Sequence, residues 1–176
     1  MPTTLLPGRP VPAFDVPLVG GGAWSLSAQS PKTFTLIEFY RGRHCPRCHR
    51  HLLALAGLLP RFADRGVEAV AISMDGAERA EDAHKTWGLG DLRVGYGLTL
   101  ETAEALGLFI SNPITEREPG PFNEPASLWV RPDGTLFAAN YGTTPFSRPH
   151  WPDWLEALDA IIARDYPPRG DRAPAS

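Results

Sequence analysis

The chain has 176 residues, of which 43% are apolar and 21% charged, an ordinary balance for one globular domain with a sizeable core. Seventeen Lys and Arg against twenty Asp and Glu give a net charge of −3, which argues against a protein that coats nucleic acid or an anionic membrane. No apolar run approaches the ~18 residues that span a bilayer, and residues 1–10 lack the pattern of a signal peptide. We therefore expect a cytoplasmic protein.

The first half of the chain predicts strands and one long helix. A Gly20-Gly21-Gly22 turn separates two short strands, and residues 33–40, rich in β-branched and aromatic side chains, predict a buried strand. From residue 45 to about 62 apolar residues recur every three or four positions, which predicts a helix whose first turn suits Pro46. Pro60 should kink or end that helix.

The second half continues the alternation. Residues 67–73 predict a strand placed for a parallel crossover, and residues 77–87 an amphipathic helix. A short strand at residues 93–96 and a short helix at 101–106 follow. Residues 111–124 predict a long proline-containing loop, residues 127–140 a hairpin, and residues 153–165 a closing helix. The pattern predicts an α/β fold with a mixed sheet, one domain over residues 1–166, and a disordered tail over residues 167–176.

Cys45 and Cys48 are the only cysteines, three positions apart. A disulfide between them would close almost no loop, so a structural role gives little stability. In a reducing compartment such a pair is more often catalytic or metal-binding, and the alternative is two small apolar side chains that happen to lie close together. We interpret the pair as a redox-active dithiol.

The dithiol begins a helix, where the dipole and free N–H groups favour a thiolate. Residues 41–51 add four arginines and three histidines without one acid, which should lower the pKa of Cys45 further. Cys48 lies one turn inside the helix and fits a resolving thiol. Pro46 and Arg47 favour a stabilised thiolate, and hence a disulfide more oxidising than that of a thioredoxin-type reductant.

Four further candidates surround this motif. Glu38 is either an exposed strand-end carboxylate or a partly buried base that exchanges a proton with Cys48. His44 precedes the nucleophile and should tune it. Pro125, before a predicted strand, is either an ordinary loop proline or a cis proline facing the dithiol. Residues 111–124 form a loop of the length often used as a lid or contact surface.

A metal site is the competing interpretation of the cysteines. Together with three histidines they could hold zinc or copper(I): His44, Cys45, Cys48, His49 and His51. A structural zinc site normally draws its ligands from two separate stretches of chain, so we expect no metal and no cofactor.

The active-site run FYRGRHCPRC at residues 39–48 resembles that of the peroxiredoxin-like (AhpC/TSA, redoxin) family of the thioredoxin superfamily. Residues 10–26, 67–75 (VEAVAISMD) and 125–136 (PASLWVRPDGTL) resemble that family's N-terminal extension, second core strand and cis-proline hairpin. The resemblance covers residues 10–165 and implies a thioredoxin-like fold, a mixed central sheet flanked by helices, with Cys45 as nucleophile and Cys48 as its partner.

The sequence also departs from the family pattern. True peroxiredoxins carry Pro and Thr or Ser seven and three positions before the nucleophile, where this chain has Glu38 and Gly42. They also carry an arginine before the late core strand, where this chain has Asn123-Glu124. An acid in the strand before the motif, as Glu38 provides, resembles thioredoxin instead.

These features predict a thiol–disulfide oxidoreductase, a peroxiredoxin-like antioxidant protein that uses its dithiol on a disulfide with an external thiol reductant. One alternative is a thiol-dependent peroxidase in which Arg41 or Arg43 activates peroxide. Another is a non-enzymatic redox-sensing or metal-binding module with the 111–124 loop as its partner surface. Related folds often pair, so a homodimer stays open.

Overall fold

The computed structural model describes residues 5–173, which contain nine strands and four helices. In chain order they are β1 (Asp15–Pro17), β2 (Ala23–Ser25), β3 (Phe34–Phe39), α1 (Pro46–Ala63), β4 (Val67–Ile72), α2 (Ala77–Thr86), β5 (Arg93–Gly95), α3 (Leu100–Ala105), β6 (Ile110–Ser111), β7 (Phe122–Asn123), β8 (Ala126–Val130), β9 (Leu136–Tyr141) and α4 (Trp151–Arg164).

A mixed five-stranded sheet, in the order β5-β4-β3-β8-β9, forms the centre of the fold. β3 pairs parallel with β4 and antiparallel with β8, and all six of its residues are buried. The crossover from β3 to β4 runs through α1, as a parallel connection requires. The fold predicted from the sequence is therefore confirmed, and a short turn at residues 40–45 leads from the central strand into α1.

Side chains of β3 alternate between two core layers. Leu36 packs in the layer that holds α1 and α4, together with Leu52 and Leu155. Ile37 packs in the opposite layer, which contains Trp24 and residues that follow α3. This alternation places Glu38 on the same face as Leu36, toward α1, so the buried carboxylate lies on the side of the sheet that holds the dithiol.

Two local expectations differ from the structure. α1 passes Pro60 and ends at Ala63, so this proline does not end the helix; it lies within the last turn, where the hydrogen bond lost at its nitrogen is a single one near the end of the helix. The loop of residues 111–124 has paired ends, because β6 and β7 form a short antiparallel ladder across them.

No helix within residues 5–173 combines the length and the apolar character needed to cross a membrane. Residues 167–173 contain neither helix nor strand, and the last three residues of the tail predicted to be disordered lie outside the described part of the chain.

Candidate active site

The turn from β3 to α1 brings the dithiol to the edge of the sheet. Gly42 adopts φ +133°, and a Cβ at this position would lie 2.8 Å from Oδ2 of Asp75. The same carboxylate accepts a hydrogen bond from the backbone N–H of Arg43 at 2.6 Å. Only glycine lets the backbone pass this close to the carboxylate, and the contact fixes the direction from which the chain enters α1.

The two cysteines are reduced, and their sulfur atoms accept hydrogen bonds from backbone groups. Cys45 caps the N-terminus of α1, and its Sγ accepts from the backbone N–H of Cys48 at 3.3 Å. Sγ of Cys48 accepts from the backbone N–H of Arg41 at 3.3 Å. Free N–H groups at a helix start stabilise negative charge, so the N-terminus of α1 favours a thiolate at Cys45.

A residue from the far end of the chain, Arg148, completes the site. Its Nη2 donates to Sγ of Cys48 at 3.1 Å and lies 3.9 Å from Sγ of Cys45. Its Nε donates to the backbone carbonyl of Pro145 at 3.0 Å, which holds the guanidinium in place. No sequence signal indicates this role, because Arg148 lies in an aperiodic stretch 100 residues beyond Cys48.

The surroundings set opposite acidities for the two thiols. The hydrogen bond from the Cys48 thiol, the backbone N–H of Cys48, the charge of Arg148 and a hydrogen bond from Arg41 outweigh burial and lower the pKa of Cys45 to about 5. Burial and the hydrogen bond to Cys45 raise the pKa of Cys48 well above its ordinary value. Cys45 is therefore the thiolate at neutral pH, and Cys48 is the protonated partner.

Arg41 also anchors the loop of residues 111–124. Its Nε lies 3.1 Å from Oε2 of Glu124, and its guanidinium lies 4.7 Å from the ring centroid of Phe122. Ser111 donates to the other oxygen of Glu124 at 2.7 Å. Glu124 thus holds the start of the turn into α1 and both ends of the loop together, through its ion pair with Arg41 and its hydrogen bond with Ser111.

The remaining predicted residues before the dithiol face neighbouring elements. The ring of His44 packs edge-on against Phe122 at 4.7 Å, and burial together with the charge of Arg41 lowers the pKa of His44, which keeps it neutral. Arg43 pairs with Asp82 on α2. Neither side chain is within hydrogen-bond distance of a cysteine sulfur among the described residues, whereas Arg148 is.

The two residues between the cysteines lie on the surface. Pro46 is the first residue of α1 and is exposed, as its fixed φ and missing N–H favour. Arg47 is also exposed, and its guanidinium lies 5.4 Å from the ring centroid of Phe146. The arginines that lower the pKa of Cys45 are Arg148, by its charge, and Arg41, by a hydrogen bond, so Arg47 is available for other contacts.

Glu38 lies in a buried polar network rather than at an exposed strand end. It is fully buried, accepts a hydrogen bond from the hydroxyl of Ser127 on β8, and its Oε1 lies 3.1 Å from Nε2 of His51 on α1. A cavity of about 120 Å³ adjoins it, with Ser127, Pro125 and Arg148 among its lining residues. The carboxylate and the arginine that contacts both sulfurs therefore share one polar cavity.

Pro125 requires a correction. The described residues contain no cis peptide bond, so the predicted cis proline is wrong and the Glu124–Pro125 bond is trans. The carbonyl of Pro125 accepts a hydrogen bond from the backbone N–H of Gly142 at 2.8 Å, which holds the segment after β9 against the start of β8. Pro125 thus supports the segment that carries Arg148.

The two histidines that follow Cys48 contact different tryptophans. His49 stacks on Trp87 at 5.2 Å and His51 stacks on Trp151 at 4.5 Å, on different flanks of α1. Within residues 5–173, no group of three or more His, Cys, Asp and Glu side chains is arranged to hold a metal ion.

The fold and the dithiol define the class of protein: a thioredoxin-like oxidoreductase that acts through thiols. Residues 7–139 match the model of the AhpC/TSA family, and the chain belongs to that family. No curated protein sequence matches it.

Solved structures of low identity share the fold. Peroxidoxin BcpB from Mycobacterium tuberculosis is 18% identical, with a TM-score of 0.74 over 90% of this chain and 99% of its own. The reduced 2-Cys peroxiredoxin of Plasmodium vivax is 20% identical, with a TM-score of 0.76 over 98% and 89%. A putative thiol:disulfide interchange protein DsbE from Chlorobium tepidum is 17% identical, with a TM-score of 0.65 over 91% and 97%.

Proposed function

We propose that the chain is a thiol–disulfide oxidoreductase in which Cys45 attacks and Cys48 resolves. The observation that carries the proposal is the geometry of the two thiols: Cys45 caps α1 and accepts from the backbone N–H of Cys48, while Sγ of Cys48 accepts from Arg41 and Arg148. In these surroundings the pKa of Cys45 is lowered to about 5, while that of Cys48 is raised. A thiolate beside a protonated thiol is the arrangement that disulfide exchange needs, since one sulfur attacks first and the other waits.

The exchange proceeds in two displacements. The Cys45 thiolate attacks one sulfur of a substrate disulfide, forms a mixed disulfide and expels the other substrate sulfur as a thiolate. Cys48 then loses its proton, attacks Sγ of Cys45 and expels the second substrate thiolate. Two electrons pass to the substrate, and the Cys45–Cys48 disulfide returns to the dithiol at the expense of an external thiol reductant.

Glu38 is proposed as the base for the second displacement. Burial disfavours the Cys48 thiolate, so its proton must be accepted as the thiol attacks. Glu38 faces the same core layer and shares a polar cavity with Arg148, which contacts Sγ of Cys48. The cavity has room for water beside the carboxylate, and Arg148 connects this cavity to the sulfur of Cys48.

Peroxide reduction is the second candidate, and two observations favour it. Cys45 is only 1% exposed, which suits a small oxidant, and Arg148 supplies a guanidinium beside the sulfurs where the sequence lacked the family's arginine. In this reaction the Cys45 thiolate attacks one peroxide oxygen, forms a sulfenic acid and releases water or an alcohol once the leaving oxygen is protonated. Cys48 then condenses with the sulfenic acid and releases water.

Single-turnover kinetics of the reduced protein separate the two candidates. We expect Cys45→Ser to abolish reactions with a peptide disulfide and with hydrogen peroxide, and Cys48→Ser to trap a mixed disulfide. Wild-type reaction with peroxide no faster than that of a free thiol would remove the second candidate. Full disulfide reductase activity in Cys45→Ser would overturn the first.

A reducing, cytoplasmic compartment is part of the proposal, supported by the paired thiols.

A further inference from the structure

The first turn of α1 carries positive charge where a helix disfavours it. Arg47 and Arg50 lie within the first five residues of α1, and its first turn contains no acidic residue. The helix dipole presents positive charge at this end, so cations here are disfavoured and acids are the usual choice. Two arginines placed against the dipole require another reason.

Within residues 5–173, these two arginines also differ from their neighbours in having no acidic partner. Of the four arginines in residues 41–50, Arg41 pairs with Glu124 and Arg43 pairs with Asp82. Among the described residues, no carboxylate lies within 4.0 Å of Arg47 or Arg50. Both side chains are exposed and, being three residues apart, neighbours on one helix surface.

Apolar surface lies beside these charges. Phe146 is 73% exposed, an unusual state for a phenylalanine, and it packs under the guanidinium of Arg47. Pro46 is exposed at the start of the same helix. We call the surface formed by Pro46, Arg47, Arg50 and Phe146 the cationic face.

We propose that the cationic face docks an acidic polypeptide whose own cysteine pair exchanges a disulfide with Cys45. The inference rests on the proposed dithiol chemistry and adds the partner class. The cationic face is positive although the whole chain has a net charge of −3. Charge complementarity therefore favours a partner that is acidic where it meets this face. Arg50 lies five residues beyond Cys45, about 7 Å along the helix, so the face extends past the reach of a disulfide bond alone and fits flanking residues of a polypeptide.

The transfer balances as thiol exchange. The Cys45 thiolate displaces one thiolate from the partner's disulfide, and Cys48 displaces the other, so the partner gains two electrons and this chain becomes oxidised. The same surface serves the reverse transfer, in which a partner dithiol reduces the Cys45–Cys48 disulfide.

Docking of a polypeptide also has to uncover the sulfur. Cys45 is 1% exposed and Nη2 of Arg148 lies 3.9 Å from its Sγ, so residues around the sulfur shift when a polypeptide disulfide reaches it.

Two synthetic peptides test the proposal: each holds one intramolecular disulfide of the same ring size, flanked by glutamates in one and by lysines in the other. The readout is the ratio of the two second-order rate constants with the reduced protein. The intrinsic reactivity of Cys45 cancels in this ratio. We expect the glutamate peptide to react about tenfold faster at low salt, with the ratio falling toward one as salt is added.

Charge variants locate the effect. Arg50→Glu, and Arg47→Gln combined with Arg50→Glu, should lower or invert the ratio, while Arg61→Glu in the last turn of the same helix should preserve it. Equal rates for both peptides in the wild type, or an unchanged ratio in the variants, would overturn the docking proposal and leave the dithiol chemistry intact. Failure of the underlying function would show instead as no reaction with either peptide.

The rate of reaction with a small disulfide tests whether the cationic face binds a polypeptide or an anionic metabolite. Glutathione disulfide carries carboxylates but no extended flanking chain, so its rate should change little in Arg50→Glu. A loss as large as that for the glutamate peptide would overturn the assignment to a polypeptide.

Discussion

Nη2 of Arg148 lies 3.1 Å from Sγ of Cys48, although 100 residues separate the two in sequence. The charge that faces the dithiol therefore comes from a segment beyond the last strand, and not only from the basic residues beside the motif. The acidity of the nucleophile depends on tertiary structure.

Replacing Arg148 should weaken the thiolate. In Arg148→Met, we expect the pKa of Cys45 to rise by about one unit, because the lost charge no longer offsets burial. Ultraviolet absorbance of the thiolate during a pH titration measures this shift. Arg164→Met, at the exposed end of α4, is the matched control and should leave the titration unchanged. An unchanged titration in Arg148→Met would show that the hydrogen bonds from Cys48 and Arg41 hold the thiolate without Arg148.

The reduced protein should gain stability from Cys45 as pH rises. Folding lowers the pKa of this thiol to about 5, from about 8.5 in the unfolded chain. Its contribution to the free energy of unfolding is therefore complete above pH ~8.5 and is lost as pH falls through 5. Cys48 stays protonated over this range, because its pKa is raised. The measurement is urea unfolding under reducing conditions at several pH values for wild type and Cys45→Ala.

We expect the difference between these two proteins in free energy of unfolding to grow from pH 5 to pH 9. A difference that is constant with pH would contradict a lowered pKa.

Neutralising Glu38 should slow resolution without changing the first attack. In Glu38→Gln, the base for Cys48 is lost, and we expect the mixed disulfide to decay roughly ten- to hundredfold more slowly. Rapid acid quench and mass spectrometry follow the amount of that intermediate. The rate of alkylation of Cys45 separately reports the reactivity of the attacking thiol. Ser127→Ala keeps the carboxylate and should decay much faster than Glu38→Gln. Equal decay in Glu38→Gln and wild type would remove Glu38 from the mechanism.

Gly42→Ala should destabilise the turn into α1. The new Cβ would lie within 3 Å of the Asp75 carboxylate, and the backbone has φ +133°, so we expect a loss of about 1–3 kcal/mol in the free energy of unfolding. Gly57→Ala in α1 is the control, because nothing lies within 4 Å of its Cβ and the helix gains about 0.5–1 kcal/mol. Denaturant unfolding compares the two, and equal stabilities would contradict the steric argument.

The sequence was sufficient for the architecture because local pattern and burial agree along most of the chain. Residues 33–40 carry the composition of a central strand, and the structure pairs Phe34–Phe39 on both sides. The same agreement placed Cys45 at the N-terminus of α1, since Pro46 suits the first turn of a helix.

The parts of the site that the sequence did not reveal depend on long-range packing. Arg148 lies in a stretch without periodicity, and nothing near it in sequence indicates a cysteine. The isomer of the bond before Pro125 depends on its tertiary surroundings, which is why the cis expectation was wrong. Residue type and position indicated Glu38 as a candidate base, yet its hydroxyl and imidazole neighbours come from β8 and α1.

The family match ends at residue 139, nine positions before Arg148. The segment that defines membership and the residue that faces both sulfurs are thus separable pieces of the chain. Two proteins can share every residue of the matched segment and still differ in the acidity of their nucleophile, because the residues beyond β9 can differ. Substitutions after the last strand are therefore a route by which this scaffold can change its redox behaviour while its recognised motif stays the same.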